Sequence, residues 1–399
     1  MNNLVSAVFT NTFRLKDFSV PALVAGVIAI IVGYAGPTVL VFQVAQSAGL
    51  TDAQVTSWLW AYSIASGVTS ILASALTRQP LIMAWSTPGI AFLVLGLQGV
   101  PFNEAIGAFI VSNILILIVG ITGIFRRIID SVPMSVAAAL NAGILLPFAL
   151  NAIGSINTAP EIAIPMIVLF FIVRLFSQRW AVAAVFLLGI ALCVYQGSMD
   201  TDTLKLQLAE PVFTYPEFGL EAIINISIPL TVLALTGQYL PGLSAMRSFG
   251  FKTNSDLVVK ISSVASIIAA PFCCHNINPS SMIAGIVAGP DAHEDLDRRY
   301  WAAIVAGIVY IIFGTLAGTF VLLFSSLPIE AVHVLAGVSL LAAIAGSLKT
   351  AIHEDKSDCV VPIVVFSIAI SDLTIFSIGP AFWAILIGLV LYYPIRKKA

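Results

Sequence analysis

Two short stretches combine small polar side chains with a proline inside otherwise apolar sequence. The first reads AWSTPG at 84–89, and the second reads HNINPSS at 275–281. Proline lacks a backbone N–H, and the residue before it avoids the α conformation, so each stretch predicts an extended approach followed by a helix start. The unpaired N–H groups and the positive dipole end of a helix N-terminus attract anions. Each stretch therefore predicts a site for an anion, or for the anionic end of an organic molecule.

Both stretches interrupt segments that have the apolarity of membrane spans. In the first, Ser86 or Thr87 is expected to cap a half-helix that runs from Pro88 to about Leu97. The residues Pro88–Gln98 would rise roughly 16 Å, about half of a ~30 Å hydrocarbon core. In the second, the half-helix is predicted over Pro279–Gly289. Broken backbone of this kind survives at membrane depth only inside protein or beside a cavity, so both interruptions indicate a binding site.

The predicted substrate-binding residues are hydroxyl, amide and aromatic side chains of these stretches and of neighbouring spans. They are Ser86, Thr87, Pro88, Gly89, Asn276, Asn278, Ser280, Gln43, Gln238, Trp85 and Phe92. Each alone has a plainer interpretation, as an N-cap, as an amide that joins two helices, or as aromatic packing. Because the two stretches are expected to face each other, the binding interpretation is preferred for the set.

His275 is the predicted proton-coupling residue, because an imidazole titrates near physiological pH and ionisable groups at membrane depth are usually functional. A neutral histidine bonded to backbone carbonyls is the alternative. Cys273 and Cys274 precede it, but no second ligand pair lies at zinc spacing, so no metal site or other cofactor is predicted. The other ionisable candidates inside apolar segments are His333, Glu330 and Asp372, and Asp372 is expected in a re-entrant connection near the outer surface.

Composition assigns the chain to the lipid bilayer. Mean hydropathy is +1.03, 59% of the residues are hydrophobic and 10% are charged. The net charge of −2 gives no indication of a nucleic-acid partner. No HExxH motif and no second buried histidine near His275 are found, so an enzyme is not expected.

Fourteen apolar segments are the candidate spans, two of them interrupted. They lie near 20–43, 54–76, 80–98, 103–124, 132–151, 161–176, 180–196, 221–243, 256–270, 271–289, 300–325, 328–347, 359–376 and 378–395. With both termini in the cytoplasm, 17 of the 18 Lys and Arg residues fall inside, and only Lys205 falls outside. Residues 1–19 are interpreted as a cytoplasmic lead-in and not as a signal peptide.

An internal repeat relates the two halves of the chain. The matches are residues 38–51 with 231–244 at an offset of 193, Thr87-Pro88 with Asn278-Pro279 at 191, and SVP at 131–133 with SLP at 326–328 at 195. A unit of this length holds seven spans. An odd number of spans places the second copy in the membrane in the opposite orientation. The predicted fold is therefore an all-α polytopic membrane protein, with 14 transmembrane segments as a 7+7 inverted repeat. Each interrupted span would be a short strand plus a half-helix, as in secondary transporters.

The same stretches resemble the BenE family of bacterial benzoate transporters. The resemblance rests on AWSTPG at 84–89, HNINPSSMIAGIVAGPDAHEDLDRRYWA at 275–302, GQYLPGLSAMRSFGF at 237–251 and GPAFWAILIGL at 379–389. That family is similar in fold to uracil permease and to the nucleobase, ascorbate and sulfate carriers. It implies a core domain (20–125 and 221–325) that moves against a gate domain (126–196 and 326–399), with an outer loop at 197–220. Substrate would bind between the third and tenth spans.

The resemblance implies proton-coupled uptake of benzoate or a related aromatic carboxylate across the bacterial inner membrane. The nucleobase carriers use a glutamate where this chain has Gln238, which disfavours a nucleobase and removes a charge that would repel a carboxylate. A nucleobase or other organic-anion carrier, and a passive anion channel, remain the alternatives. The expected partners are the substrate, protons and lipid, with a homodimer possible and no nucleic acid.

Overall fold

The structure is a computed structural model that describes residues 14–35, 37–125, 133–178, 180–197, 205–353, 359–371, 373–375 and 378–396. Residues 1–13 of the predicted lead-in, and Asp372, lie outside these ranges. The described chain is mostly helical, with one pair of short strands. In chain order the elements are α1 (Val20–Ala35), α2 (Pro37–Ala48), α3 (Asp52–Thr77), β1 (Met83–Trp85), α4 (Thr87–Gly96), α5 (Phe102–Thr122), α6 (Met134–Thr158), α7 (Pro160–Phe176), α8 (Ala181–Tyr195), α9 (Leu220–Ser248), α10 (Ser255–Ala269), β2 (Ile277–Pro279), α11 (Ala284–Val287), α12 (Tyr300–Thr315), α13 (Ala317–Ser325), α14 (Ile329–His353), α15 (Val360–Ile370) and α16 (Pro380–Arg396).

Seven helical segments of the described chain are long and apolar enough to cross a membrane, counting α1 and α2 together. The pair α12 and α13, bent by 62°, would make an eighth. Shorter apolar helices, among them α4, α8, α15 and α16, fall below that length. The all-α membrane class is thus confirmed, while fourteen spans and the inverted repeat stay predictions.

Helix α9 contains two π-helical turns, and each ends just before a proline. The first covers Ile223–Ser227 and precedes Pro229, and the second covers Leu235–Tyr239 and precedes Pro241. Proline has no N–H to donate, and its ring clashes with the carbonyl four residues earlier. A wider turn at that point relieves both problems and lets the helix continue. The second π turn carries Gln238, one of the predicted site residues.

The two strands pair with each other in antiparallel orientation. Met83 lies opposite Pro279, Ala84 opposite Asn278 and Trp85 opposite Ile277. The N–H groups that the pairing leaves over are bonded by serines of the flanking helices. Met83 N donates to Ser70 Oγ of α3 at 2.8 Å, and Ile277 N donates to Ser266 Oγ of α10 at 2.9 Å. Exposed backbone polar groups are costly in a membrane, so these serines stabilise the non-helical segments.

Small residues let the helices pack closely in two groups. Helices α3, α9 and α10 contact the strand pair, and α1, α5 and α12 pack on this group, whereas α6 packs on α14 and α15. At the α3–α12 contact, a Cβ added to Gly67 would lie 2.5 Å from the Gly307 carbonyl oxygen, and one added to Gly307 would lie 2.7 Å from that of Gly67. Only glycine permits this mutual approach, which is how helices associate without a hydrophobic driving force.

An ion pair between a half-buried arginine and a buried aspartate joins the start of the described chain to the group around the strands. Arg78 ends α3 in the left-handed conformation (φ 55°), and its Nη2 donates to Asp17 Oδ2 at 2.9 Å. The Tyr300 hydroxyl donates to the same carboxylate oxygen at 3.1 Å. Asp17 therefore connects three segments that are distant in sequence.

Replacing Asp17 by asparagine is expected to lower the thermal stability of the purified protein. The change removes a charge that accepts two hydrogen bonds, which corresponds to roughly 1–3 kcal/mol. Asp52→Asn, on an exposed aspartate in the first turn of α3, is the matched control and should melt within about a degree of the parent. Equal melting of Asp17→Asn and the parent would contradict the structural role of this contact.

Candidate functional site

The first interrupted segment forms the half-helix that its sequence predicts. Ser86 is extended (φ −79°, ψ 98°), and its Oγ accepts a hydrogen bond from Gly89 N at 3.1 Å, so it is the N-cap of α4. The helix runs from Thr87 to Gly96, within one residue of the predicted end. The Thr87 hydroxyl is half-buried and has no hydrogen-bond partner among the described residues. It is thus the free hydroxyl at this helix start.

The second interrupted segment has a much shorter helix than predicted. Helix α11 covers only Ala284–Val287, so the prediction of a half-helix over Pro279–Gly289 is wrong. Ser280 and Ser281 are weak helix formers, and Gly285 and Gly289 add conformational entropy to the unfolded chain. The chain instead stays close to the first segment, since Ser280 N donates to the Ile82 carbonyl at 3.0 Å. One helix N-terminus, and not two, therefore faces the strands.

Side-chain amides take the position where the second helix start was expected. Asn276 and Asn278 are fully buried, and Asn278 Nδ2 donates to Asn276 Oδ1 at 3.2 Å. Among the described residues, Asn276 Nδ2 and Asn278 Oδ1 have no hydrogen-bond partner. Buried polar atoms are nearly always paired in folded proteins, so a free donor and a free acceptor at one point indicate a position for a ligand or for water.

His275 lies between two aromatic rings in the interior of the same group. Its ring contacts Trp58 and Phe109 edge-on, with centroids 5.8 and 6.2 Å apart, and its carbonyl accepts from Asn113 Nδ2 at 2.6 Å. The Ser86 carbonyl is close to the ring, but neither ring nitrogen makes a hydrogen bond of acceptable geometry. The two stretches, 186 or more residues apart in sequence, thus meet at His275 and Ser86.

The predicted aromatic residues have different surroundings. Trp85 stacks on Tyr62 at 3.8 Å between ring centroids and contacts Tyr34 at 5.4 Å, so its indole belongs to an aromatic cluster under β1. Phe92 is on α4, about one turn beyond Thr87, and is 7% exposed. Of the two, Phe92 lies on the half-helix itself, whereas Trp85 is already covered by its tyrosine neighbours.

The two predicted glutamines lie on different helices near α4. Gln238 is half-buried in the π turn of α9, where the neighbouring Gly237 faces the Pro88 ring. Gln43 is on α2 and is 6% exposed, and its Nε2 has no hydrogen-bond partner in the part of the chain that the structure describes. Gln43 lines a cavity of about 280 Å³ between α2, α4, α6 and α14, and it is the one predicted site residue that does so.

Several residues that position the site were not predicted. They are the strand-bonding serines Ser70 and Ser266, Asn113 that holds the His275 carbonyl, and Trp58 beside the His275 ring. Serines recur at intervals of three or four residues along α3, at Ser63, Ser66, Ser70 and Ser74. This spacing places them on one face of an apolar helix, which indicates contact with non-helical backbone. Asn113 gives no such signal in the sequence.

Structural comparison relates the fold to solved anion transporters. The chain aligns with SLC26A9 at a TM-score of 0.67 and 12% identity, covering 99% of this chain and 69% of that one. It aligns with the transmembrane domain of the cyanobacterial bicarbonate transporter BicA at a TM-score of 0.63 and 13% identity, covering 95% of this chain and 98% of that one. The TM-scores show a shared fold, and identities this low show nothing beyond the fold.

Sequence comparison identifies the family. The benzoate membrane transport protein of Acinetobacter baylyi is 36% identical over 382 residues, covering 96% of this chain and 97% of that one. The inner membrane protein YdcO of Escherichia coli is 36% identical over 380 residues, covering 95% and 97%. The sequence model of the BenE family, described as benzoate membrane transport protein, matches residues 16–393. The family match covers nearly the whole chain, in which two interrupted segments meet inside a helical membrane fold. The chain therefore belongs to the BenE family of membrane transporters and is not an enzyme.

Proposed function

We propose that this protein is a secondary transporter that takes up benzoate, or a related aromatic carboxylate, together with protons across the bacterial inner membrane. The observation that carries the proposal is the β1–β2 pairing, which joins Ser86 and Thr87 to His275, Asn276 and Asn278. The family description and the name of the Acinetobacter relative support benzoate as the substrate. The inner-membrane name of the Escherichia relative supports the location.

In this proposal the substrate carboxylate lies at the N-terminus of α4. The Thr87 hydroxyl and the Asn276 Nδ2 are suitable donors, because both are neutral and neither has a partner among the described residues. Ser280, Gly89 and Gln238 lie around the carboxylate, and the Pro88 ring limits how closely the carboxylate approaches the helix start. The Phe92 ring packs on the aromatic ring of the substrate. His275 is the one ionisable residue of the two stretches 84–89 and 275–281, which makes it the group that carries the coupled proton.

The proposed architecture is fourteen spans in two inverted halves, with both termini in the cytoplasm. Helices α6 and α14 both have 25 residues and start 195 residues apart. The segments Val20–Ala48 and Leu220–Ser248 both have 29 residues. The serine contacts of β1 and β2 also correspond, with Ser70 on Met83 and Ser266 on Ile277. The helix group around the strands corresponds to the proposed core domain (20–125, 221–325), and the group of α6, α14 and α15 to the gate (126–196, 326–399).

A proteoliposome assay tests the function directly. Labelled benzoate uptake is measured with and without an inward proton gradient, and protein-free liposomes correct for passive permeation of benzoic acid. We expect saturable, gradient-stimulated uptake and counterflow with unlabelled benzoate. Uptake that does not respond to the gradient would refute proton coupling, flux without counterflow would favour a channel, and absence of uptake would refute the substrate. Uracil, sulfate and substituted benzoates as competitors define the substrate class.

Replacing Thr87 by valine is expected to raise the half-saturating benzoate concentration about tenfold or more. Valine keeps the shape of threonine but removes the hydroxyl, and a hydrogen bond to a charged group contributes roughly 1.5–3 kcal/mol. The effect should be equal for uptake and for efflux, because the residue lies at the proposed central site. Thr122→Val at the far end of α5 is the matched control, since its hydroxyl bonds only the carbonyls of its own helix. An unchanged half-saturating concentration in Thr87→Val would contradict the proposed carboxylate position.

A further inference from the structure

The cavity beside α4 has a polar set of side chains that the central site does not use. Its lining residues are Gln43, Gln46, Ser47, Ala91, Val94, Leu95, Ile144, Pro147, Phe148, Asn151 and His333. Gln46 and Asn151 are exposed, whereas Gln43 is buried, so the cavity opens at the first pair and closes at Gln43. Its volume of about 280 Å³ is close to the lower end of ordinary ligand pockets, near ~300 Å³.

The lining combines an apolar wall with polar side chains at the open and the closed end, which suits an aromatic acid. Val94, Leu95, Ile144 and Phe148 provide apolar surface, and Phe148 adds an aromatic ring. His333, Asn151 and the two glutamines provide hydrogen-bond donors, and no carboxylate lines the cavity. Gln43 Nε2 is a buried donor without a partner, as expected of a group that meets a ligand.

The polar side chains His333 and Asn151 have no polar counterpart in the other half of the chain. Helices α6 and α14 superpose in sequence at an offset of 195, which matches His333 with Ala138 and Asn151 with Gly346. The counterparts of these two residues in the other half therefore have no polar side chain, whereas Gln43 and Gln46 match the polar Thr236 and Tyr239 at the offset of 193. Duplication alone would give both halves the same residues, so this asymmetry is a property of one side of the membrane. In the proposed orientation that side is the outer one.

We infer that this cavity is a separate outer binding site for the aromatic carboxylate, which the substrate occupies before it reaches the interrupted segments. The inference rests on the proposed function and adds to it. The carboxylate accepts from His333 and Asn151 at the open end, and the ring lies against Phe148 and Ile144. Gln43 lies at the closed end on α2, which packs against α4, so it connects this site to the central one.

Direction-resolved transport in proteoliposomes tests the inference. Asn151→Leu is expected to raise the half-saturating benzoate concentration on the outer side about tenfold, the effect of losing one hydrogen bond to a charged group. His333→Gln should raise it as well, because the amide donates from a different position than the imidazole. The half-saturating concentration on the inner side should stay unchanged. His353→Gln, an exposed histidine at the other end of the same helix, is the matched control and should alter neither value.

A labelling experiment gives a readout that does not depend on transport rates. Ser47→Cys should react with a membrane-impermeant thiol reagent added to whole cells, and benzoate should slow the reaction. The parent chain is the background control, since Cys193, Cys273 and Cys274 are buried and the half-buried Cys359 lies on the proposed cytoplasmic side. If the parent transports benzoate, either of two results would overturn the outer site. One is labelling of Ser47→Cys that benzoate does not slow, and the other is an equal change of the half-saturating concentration on both sides in His333→Gln. Failure of the proposed function would differ, because the parent itself would then show no uptake.

Discussion

Replacing His275 by glutamine is expected to abolish the accumulation of benzoate that a proton gradient drives. Glutamine has a similar length and can hydrogen-bond, but it does not titrate, whereas an imidazole does. Each coupled proton allows up to about tenfold accumulation per pH unit, since about 1.4 kcal/mol corresponds to a factor of ten. The variant should lose this factor and keep at most a flux that follows the benzoate gradient. The measurement is uptake into proteoliposomes at several values of the imposed pH difference.

The surroundings of His275 make this a specific test. Trp58 and Phe109 flank the ring and Asn113 holds its carbonyl, so a glutamine can occupy the site without a new cavity. A melting curve with and without benzoate separates loss of coupling from loss of fold. His293→Gln in the α11–α12 connection is the control and should retain full accumulation. Normal gradient-driven accumulation in His275→Gln would exclude this residue as the proton carrier.

Replacing Gly242 by alanine is expected to lower stability and transport together. A Cβ at this position would collide with the carbonyl oxygen of Pro279, the last residue of β2. Backbone cannot turn away as a flexible side chain can, so α9 or β2 must move, and overpacking of this kind costs about 1–3 kcal/mol. The displaced strand would also carry Asn278 away from β1. Both the melting temperature and the rate of benzoate uptake measure the effect.

Gly237→Ala on the same helix is the matched control for Gly242→Ala. Its Cβ would lie 3.4 Å from the Pro88 Cγ, which is ordinary contact. Alanine is also favoured over glycine in a helix by up to ~1 kcal/mol, so this variant should be as stable as the parent or slightly more stable. Equal melting temperatures and uptake rates of the two variants would show that the close contact of α9 with β2 is not needed for stability or transport.

The first interrupted segment could be predicted closely because local chemistry decides it. Pro88 determines where the helix begins, and Ser86 is the side chain in reach of the free N–H at Gly89. The second segment follows the same rule at Pro279 but has serines and glycines after it, and the prediction gave too little weight to their low helix propensity. The helix N-terminus expected there is replaced by the Asn276–Asn278 pair.

Contacts between distant segments could not be derived from the sequence. Trp85 was expected beside the substrate, but Tyr34 and Tyr62 cover it, and nothing local relates these residues. The strand register could not be derived either, since strands of three residues carry no periodic signal in the sequence. Asn113 and Gln43 likewise depend on which helices become neighbours. The sequence therefore predicts which residue types can bind an anion, whereas the assembled fold decides which of them remain free to do so.

The β1–β2 pairing has a consequence for how such a chain can assemble and evolve. Each strand is the other's partner in a two-stranded sheet, and the two come from opposite halves of the sequence. Half of the chain on its own would leave a bare strand edge in hydrocarbon, where every unbonded peptide group costs several kcal/mol. Neither half should then be viable as a lone polypeptide. Two fragments divided in the 197–220 connection and produced in the same cell should instead complement each other, and, under the proposed duplication, a single-repeat ancestor would have required a second, oppositely inserted copy to close its strand.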